Sequence, residues 1–175
     1  MNLSVDVISD VICPWCFIGK RRLEEAIAAY GRPVRVRWLP YQLNPQMPKR
    51  GISRREYRTR KFGSWERSQA LHAQVAAVGE SQGIHFAFDR IERTPNTLAA
   101  YQLIWLAEQE GVQDGVVEAM FLAYFTQGRD LTDQTTLVEV VAQVGLDRDK
   151  AEAVVISDGE HDFISEQTNS LDVLA

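Results

Sequence analysis

The sequence predicts an α/β fold of uneven build, a β-α-β unit followed by a long helical part. Three observations carry this. Residues 3–8 and 34–39 alternate around β-branched side chains, as half-buried strands do. Between them Phe17, Leu23, Ile27 and Tyr30 recur at helical spacing. From about Arg54 onward, helical patterns follow one another and are punctuated mainly by glycines.

The elements follow in order. The first helix covers residues 13–30 and carries Lys20, Arg21, Arg22, Glu24 and Glu25 largely on its polar positions. Gly31 suits its C-terminal turn and Pro33 prevents its continuation. Two strands joined by one helix are most simply parallel, with a right-handed crossover. Pro40, Pro45 and Pro48 then impose an extended connection. One helix is predicted over residues 54–82, stopping at Gly83, and a short extended piece over residues 84–88. Thr94 reads as a helix cap with Pro95 at the first helical position. That helix runs to Gln109 before Gly111. Another covers residues 116–126 and ends near Gly128. Asp133 starts a further helix ending at Gly145, and Asp147 starts the next. Residues 160–175 read as helical.

This division sets residues 1–48 apart as a β-α-β part and residues 49–175 as a helical part. Two strands do not make a stable sheet alone. Either further strands lie beyond Ala175, or the helices and a partner chain, as in a homodimer, cover the sheet edges.

Composition narrows the classes. The chain has 175 residues, 45% hydrophobic and 25% charged, which suits a folded domain with its own core. The net charge of −5 offers no overall attraction to nucleic acid or an anionic membrane. No uncharged apolar run approaches a membrane span, and the first residues lack the pattern of a signal peptide. The expected compartment is therefore cytoplasmic. There thiols stay reduced, so the two cysteines are expected to be reactive or metal-binding rather than structural.

They stand as Cys13-Pro14-Trp15-Cys16, after a predicted strand and at the opening of a predicted helix. A sulfur at a helix N-terminus faces unpaired N–H groups and the positive end of the helix dipole, so the Cys13 thiol should ionise more readily than a free one. Cys16, one turn on, is close enough to bond with it and should lie deeper. Cys13 would attack a substrate disulfide, and Cys16 would resolve the mixed disulfide. Pro14 costs the helix no hydrogen bond and stiffens the turn, while Trp15 sets an uncharged aromatic beside the reactive sulfur. A zinc site would need about two further ligands; there are no other cysteines, and His72, His85 and His161 are scattered. No metal or bound cofactor is expected.

Residues 9–19, Ser-Asp-Val-Ile-Cys-Pro-Trp-Cys-Phe-Ile-Gly, resemble the active-site segment of the DsbA family within the thioredoxin superfamily, and more narrowly its FrnE-like branch. The likeness continues in Trp38-Leu39-Pro40-Tyr41-Gln42-Leu43-Asn44-Pro45, Pro95-Asn96-Thr97-Leu98-Ala99-Ala100 and Phe121-Leu122-Ala123-Tyr124-Phe125. The resemblance implies a thioredoxin-like fold with a large all-helical insertion after the second strand, and thiol–disulfide oxidoreductase activity at Cys13 and Cys16. It also implies a later cis-proline loop and further strands. No proline follows Pro95, so the chain is expected to stop before that loop.

Protein or small-molecule thiols and disulfides are the expected partners, with glutathione as a co-substrate. A second reading is a glutathione-dependent isomerase or transferase, similar to 2-hydroxychromene-2-carboxylate isomerase. Serine commonly replaces the first cysteine in those relatives, and Cys13 argues against it. A third is a non-enzymatic binding or chaperone module.

Other residues have plainer readings. Asp10 is expected to cap the active-site helix or face solvent, the alternative being a catalytic proton role. Asp6 either faces water at a strand edge or accepts a proton from Cys16. Lys49, Arg50, Arg54, Arg55, Arg58, Arg60 and Lys61 are expected to form a solvated helix face, the alternative being recruitment of an acidic partner or an anionic small molecule such as glutathione. Phe121, Tyr124 and Phe125 are expected in the core, and His72 and His85 at ordinary surface or half-buried positions.

Overall fold

The computed structural model describes residues 3–156. The helix predicted over residues 160–175 lies outside them. Strand β1 (Leu3–Ser9) leads into helix α1 (Pro14–Tyr30), which returns to strand β2 (Val34–Pro40). The strands pair in parallel, from Leu3 opposite Val34 to Ser9 opposite Pro40, without a slip. Gly31 ends α1 in the left-handed region (φ 68°) and its N–H caps the Ile27 carbonyl.

A second, two-residue ladder joins β3 (Ile52–Ser53) antiparallel to β4 (Arg93–Thr94). Thr94 is therefore extended, and the helix predicted to start there begins at Leu98 instead. Its leading N–H is met by the Asn96 side chain at 2.9 Å. The extended connection after β2 is pinned by the same residue, which donates to the Met47 carbonyl.

The long helix predicted over residues 54–82 is two helices, α2 (Arg54–Phe62) and α3 (Trp65–Glu80). Gly63 takes φ 89°, a conformation that favours glycine, and Ser64 caps α3 by accepting from the Arg67 N–H. The reversal folds α3 back on α2. Four more helices follow among the described residues: α4 (Leu98–Gln109), α5 (Gln113–Phe125), α6 (Gln134–Ala142) and α7 (Arg148–Ile156). Asp133 caps α6 as expected, accepting from the N–H groups of Thr135 and Thr136, and Asp147 accepts from the Lys150 N–H at the start of α7. Helix α5 starts three residues before the predicted Val116, because Gln113 and Asp114 turn toward β2.

That turn closes one side of the small sheet. The Gln113 amide accepts from the Trp38 N–H and donates to the Trp38 carbonyl, and Asp114 accepts from the Trp38 indole. A side chain thus serves the β2 edge as a neighbouring strand would. Among the described residues β1 pairs only with β2, and Leu3 and Ile8 on it are exposed.

One apolar core runs through both parts of the chain. Phe17 of α1 is fully buried and stacks on Phe121 of α5 at 5.1 Å. Phe121, Tyr124 and Phe125 are all in the core, as the helical spacing predicts. Lys20 is 2% exposed and reaches Glu24, Asp114 and Glu118, which ties α1 to α5 a second time.

Candidate active site

Cys13 is the residue that caps α1. Its backbone is extended (φ −94°, ψ 109°), and Pro14 occupies the first turn, where a missing N–H costs nothing. The Cys13 N–H donates to the Asp10 carbonyl at 2.9 Å, and the Cys13 carbonyl accepts from the Cys16 N–H at 3.1 Å. The strand-to-helix junction therefore has both ends tied, with the two sulfurs one turn apart. Both cysteines are free and half-buried.

The two thiols are unlike. Cys13 is lowered to about 7, first by a hydrogen bond from the Cys16 thiol and then by the Cys16 and Trp15 N–H groups, against burial and the Asp10 charge. The Cys16 thiol is held well above its ordinary range by the hydrogen bond it donates to the Cys13 sulfur and by burial. Helix-end N–H groups do help, as the sequence suggests, but the partner thiol is the larger cause. Cys13, Pro14 and Trp15 line a cavity, whereas Cys16 packs against the core. Trp15 is 53% exposed beside the sulfur.

Asp10 departs from its expected role. It neither caps the helix nor faces solvent. It is buried, and its carboxylate accepts from the Ile12 N–H at 3.2 Å and from the Leu43 N–H at 2.7 Å. It clips the loop after β2 to the active-site turn. Burial raises its carboxyl above the usual range, while those two N–H groups oppose the shift. Asp6 is exposed and paired with Arg37, so it faces water as the edge reading has it.

The basic cluster divides, and this corrects the solvated-face expectation. Lys49, Arg50, Arg55, Arg60 and Lys61 are exposed. Arg54 and Arg58 are 5% and 9% exposed and point inward. With Tyr57 and Lys61 they form the α2 wall of a cavity of about 340 Å³ whose opposite wall is the Cys13–Trp15 turn. Leu71, His72 and Val75 of α3 close it. His72 stacks on Phe88 at 4.3 Å and its Nε2 lies 3.2 Å from Arg54. A guanidinium has no acceptor, so His72 accepts from it and stays neutral. Burial and then Arg58 and Arg54 push His72 down to about 3. His85 is exposed beside Glu80. The α2–α3 wall is hidden when residues 54–82 are read as one helix; the signal that would reveal it is Gly63-Ser64. Among the described residues no cluster of metal-ligating side chains occurs.

A strand running into Cys-x-x-Cys at a helix start, beside a parallel strand, is the redox-site framework of the thioredoxin fold. The chain belongs to the DSBA-like thioredoxin domain family, which matches residues 4–173. It is 27% identical over 151 residues to the uncharacterized protein YwbO of Bacillus subtilis (strain 168), covering 84% of this chain and 68% of that protein. The crystal structure of a probable DsbA oxidoreductase, SCO1869 from Streptomyces coelicolor, superposes with a TM-score of 0.90 at 26% identity, over 99% of this chain and 76% of that one. The cytosolic disulfide reductase DsbM from Pseudomonas aeruginosa, solved with GSH, shares the fold at a TM-score of 0.69 and 17% identity, over 98% of this chain and 81% of that one.

Proposed function

We propose that the chain is a thiol–disulfide oxidoreductase that exchanges disulfides through Cys13 and Cys16, the FrnE-like role its active-site segment suggests. The observation that carries this is the unequal pair: a Cys13 thiol lowered to about 7 on a cavity wall, one turn from a Cys16 thiol held protonated. The Cys13 thiolate attacks a disulfide sulfur, the far sulfur leaves with its electron pair, and Cys16 displaces the bound half to close the Cys13–Cys16 bond. Pro14 fixes the turn and Trp15 offers its face to the substrate. The β-α-β part supplies the redox pair, and α2 and α3 of the helical part supply the wall facing it. Glutathione serves as co-substrate, returning the oxidised pair to the dithiol, in the cytoplasm; no helix among the described residues is long and apolar enough to cross a membrane.

Insulin reduction with dithiothreitol as electron source tests the reading. The wild type should accelerate precipitation, Cys13→Ser should not, and Cys16→Ser should accumulate mixed disulfides through Cys13. Equal trapping by both single variants would reverse or void the assignment. The isomerase reading has the weaker support, since a free cysteine stands at position 13.

A further inference from the structure

Arg54 and Arg58 present a physical problem that thiol exchange alone does not resolve. Each is more than nine-tenths buried, yet among the described residues neither has a carboxylate within ion-pair distance. Arg54 donates to Tyr124 Oη at 3.0 Å and to His72 Nε2, and its buried Nε has no partner. Arg58 donates from Nε to Ser68 Oγ at 2.7 Å and from Nη2 to the Ser68 carbonyl at 3.4 Å. All of these acceptors are neutral. Aromatic faces offset part of the charge: Arg58 lies 4.1 Å from the Phe62 ring centroid, and Arg54 is 5.7 Å from that of Tyr124. Two neighbouring guanidiniums without a counter-charge remain costly to bury. The mutual repulsion is visible in Arg58, which is pushed down to about 10 by burial and then by Arg54. Both arginines, with Lys61, line the cavity that opens on Cys13.

We infer that Arg54 and Arg58 form an anion seat facing the reactive sulfur, and that the site takes a small disulfide or thiol carrying a carboxylate. This rests on the thiol-exchange reading and names the substrate class for it. Guanidinium forks match carboxylate geometry and are less strongly hydrated than ammonium groups, so a buried arginine pair suits a carboxylate. About 340 Å³ is the size of a small-molecule site. Its remaining walls, Ile12, Leu43, Phe62 and Val75, suit the hydrocarbon between carboxylate and sulfur. The reduced protein's Cys13 thiolate attacks one sulfur of the disulfide. The released carboxylated thiolate leaves with the electron pair and takes a proton from water. Cys16 gives up its proton to water, attacks Cys13 Sγ and frees the second thiolate. The balance is two protein thiols and one disulfide giving one protein disulfide and two thiols.

A charge series of similar size tests this on the full chain in a single turnover. The probes are 3,3′-dithiodipropionate, bis(2-hydroxyethyl) disulfide and cystamine, dianion, neutral and dication. Each rate of Cys13 oxidation is divided by the rate at which dithiothreitol reduces the same disulfide. The normalised rate should favour the dianion over the neutral probe by about tenfold, as charge-assisted hydrogen bonds allow, with the dication slowest. In Arg54→Gln and Arg58→Gln the dianion-to-neutral ratio should fall toward one, and Arg58→Lys should restore part of it. If all three probes react and the wild-type ratio is one or below, the seat is wrong and thiol exchange stands. If none oxidises Cys13, thiol exchange itself fails and the seat with it. A folded variant that keeps the wild-type ratio makes the arginines structural. Should the variants not fold, suberate decides the matter on the wild type. It should slow iodoacetamide labelling of Cys13 where 1,8-octanediol does not, and equal labelling with both overturns the seat.

Discussion

At the scale of single residues, the pair of sulfurs has its asymmetry written into one turn of helix. Cys13 faces a cavity, and the largest cause of its low value, about 7, is the hydrogen bond from the thiol of Cys16. Removing that donor in Cys16→Ala should therefore raise the Cys13 thiol toward the ordinary thiol range. A thiolate absorbance titration checks this, and an unchanged midpoint would mean that the helix-end N–H groups suffice. His72 gives a second prediction. Its folded value, about 3, lies below the ordinary 6.5. Below pH 6.5 the unfolded chain takes up a proton that the folded chain refuses until about pH 3, so stability should fall as pH drops across that window. Urea unfolding at several pH values measures the slope, which should shrink in His72→Gln.

At the scale of elements, the α2–α3 hairpin and the β3–β4 ladder build the wall opposite the cysteines. A crowded glycine immediately precedes the ladder. Gly51 has φ +63°, and a Cβ there would lie 2.5 Å from the Thr94 carbonyl oxygen. Gly51→Ala should cost about 1–3 kcal/mol, since both the backbone region and the contact oppose a side chain. A lowered urea midpoint would show it. A neutral result would mean that β4 gives way without cost.

At the scale of the whole molecule, α1 is the axle between the redox turn and the helical part. Phe17 is 0% exposed, stacks on Phe121 and Phe125, and meets Phe86 edge-on. Phe17→Ala should cost about 3–5 kcal/mol, as large core truncations do, and unfolding by circular dichroism and by tryptophan fluorescence should shift together. Separate transitions for the two probes would show that the parts before and after residue 48 unfold independently. The Lys20 and Gln113 contacts reinforce the same junction from the polar side.

The β-α-β opening, most of the helical elements and the place of Cys13 at a helix start are legible in the sequence alone. Each of these depends on local period, a breaker or a cap: alternation in the strands, Gly31 after α1, Asp133 before α6. The short ladder escaped it because Thr94 satisfies cap chemistry and strand chemistry alike, and only pairing with Ile52 decides between them. The tertiary structure alone decided which charges are buried. Arg54 and Arg58 read like Arg55 and Arg60 along the chain, and the first pair turns inward only because Gly63 folds α3 back and Ser68 and Tyr124 come into reach. It alone made Asp10 a clip, because Leu43 is distant in sequence and adjacent in space. Local chemistry fixes what a residue can do; burial, which sums contacts from distant segments, fixes its charge state and the cavity it faces.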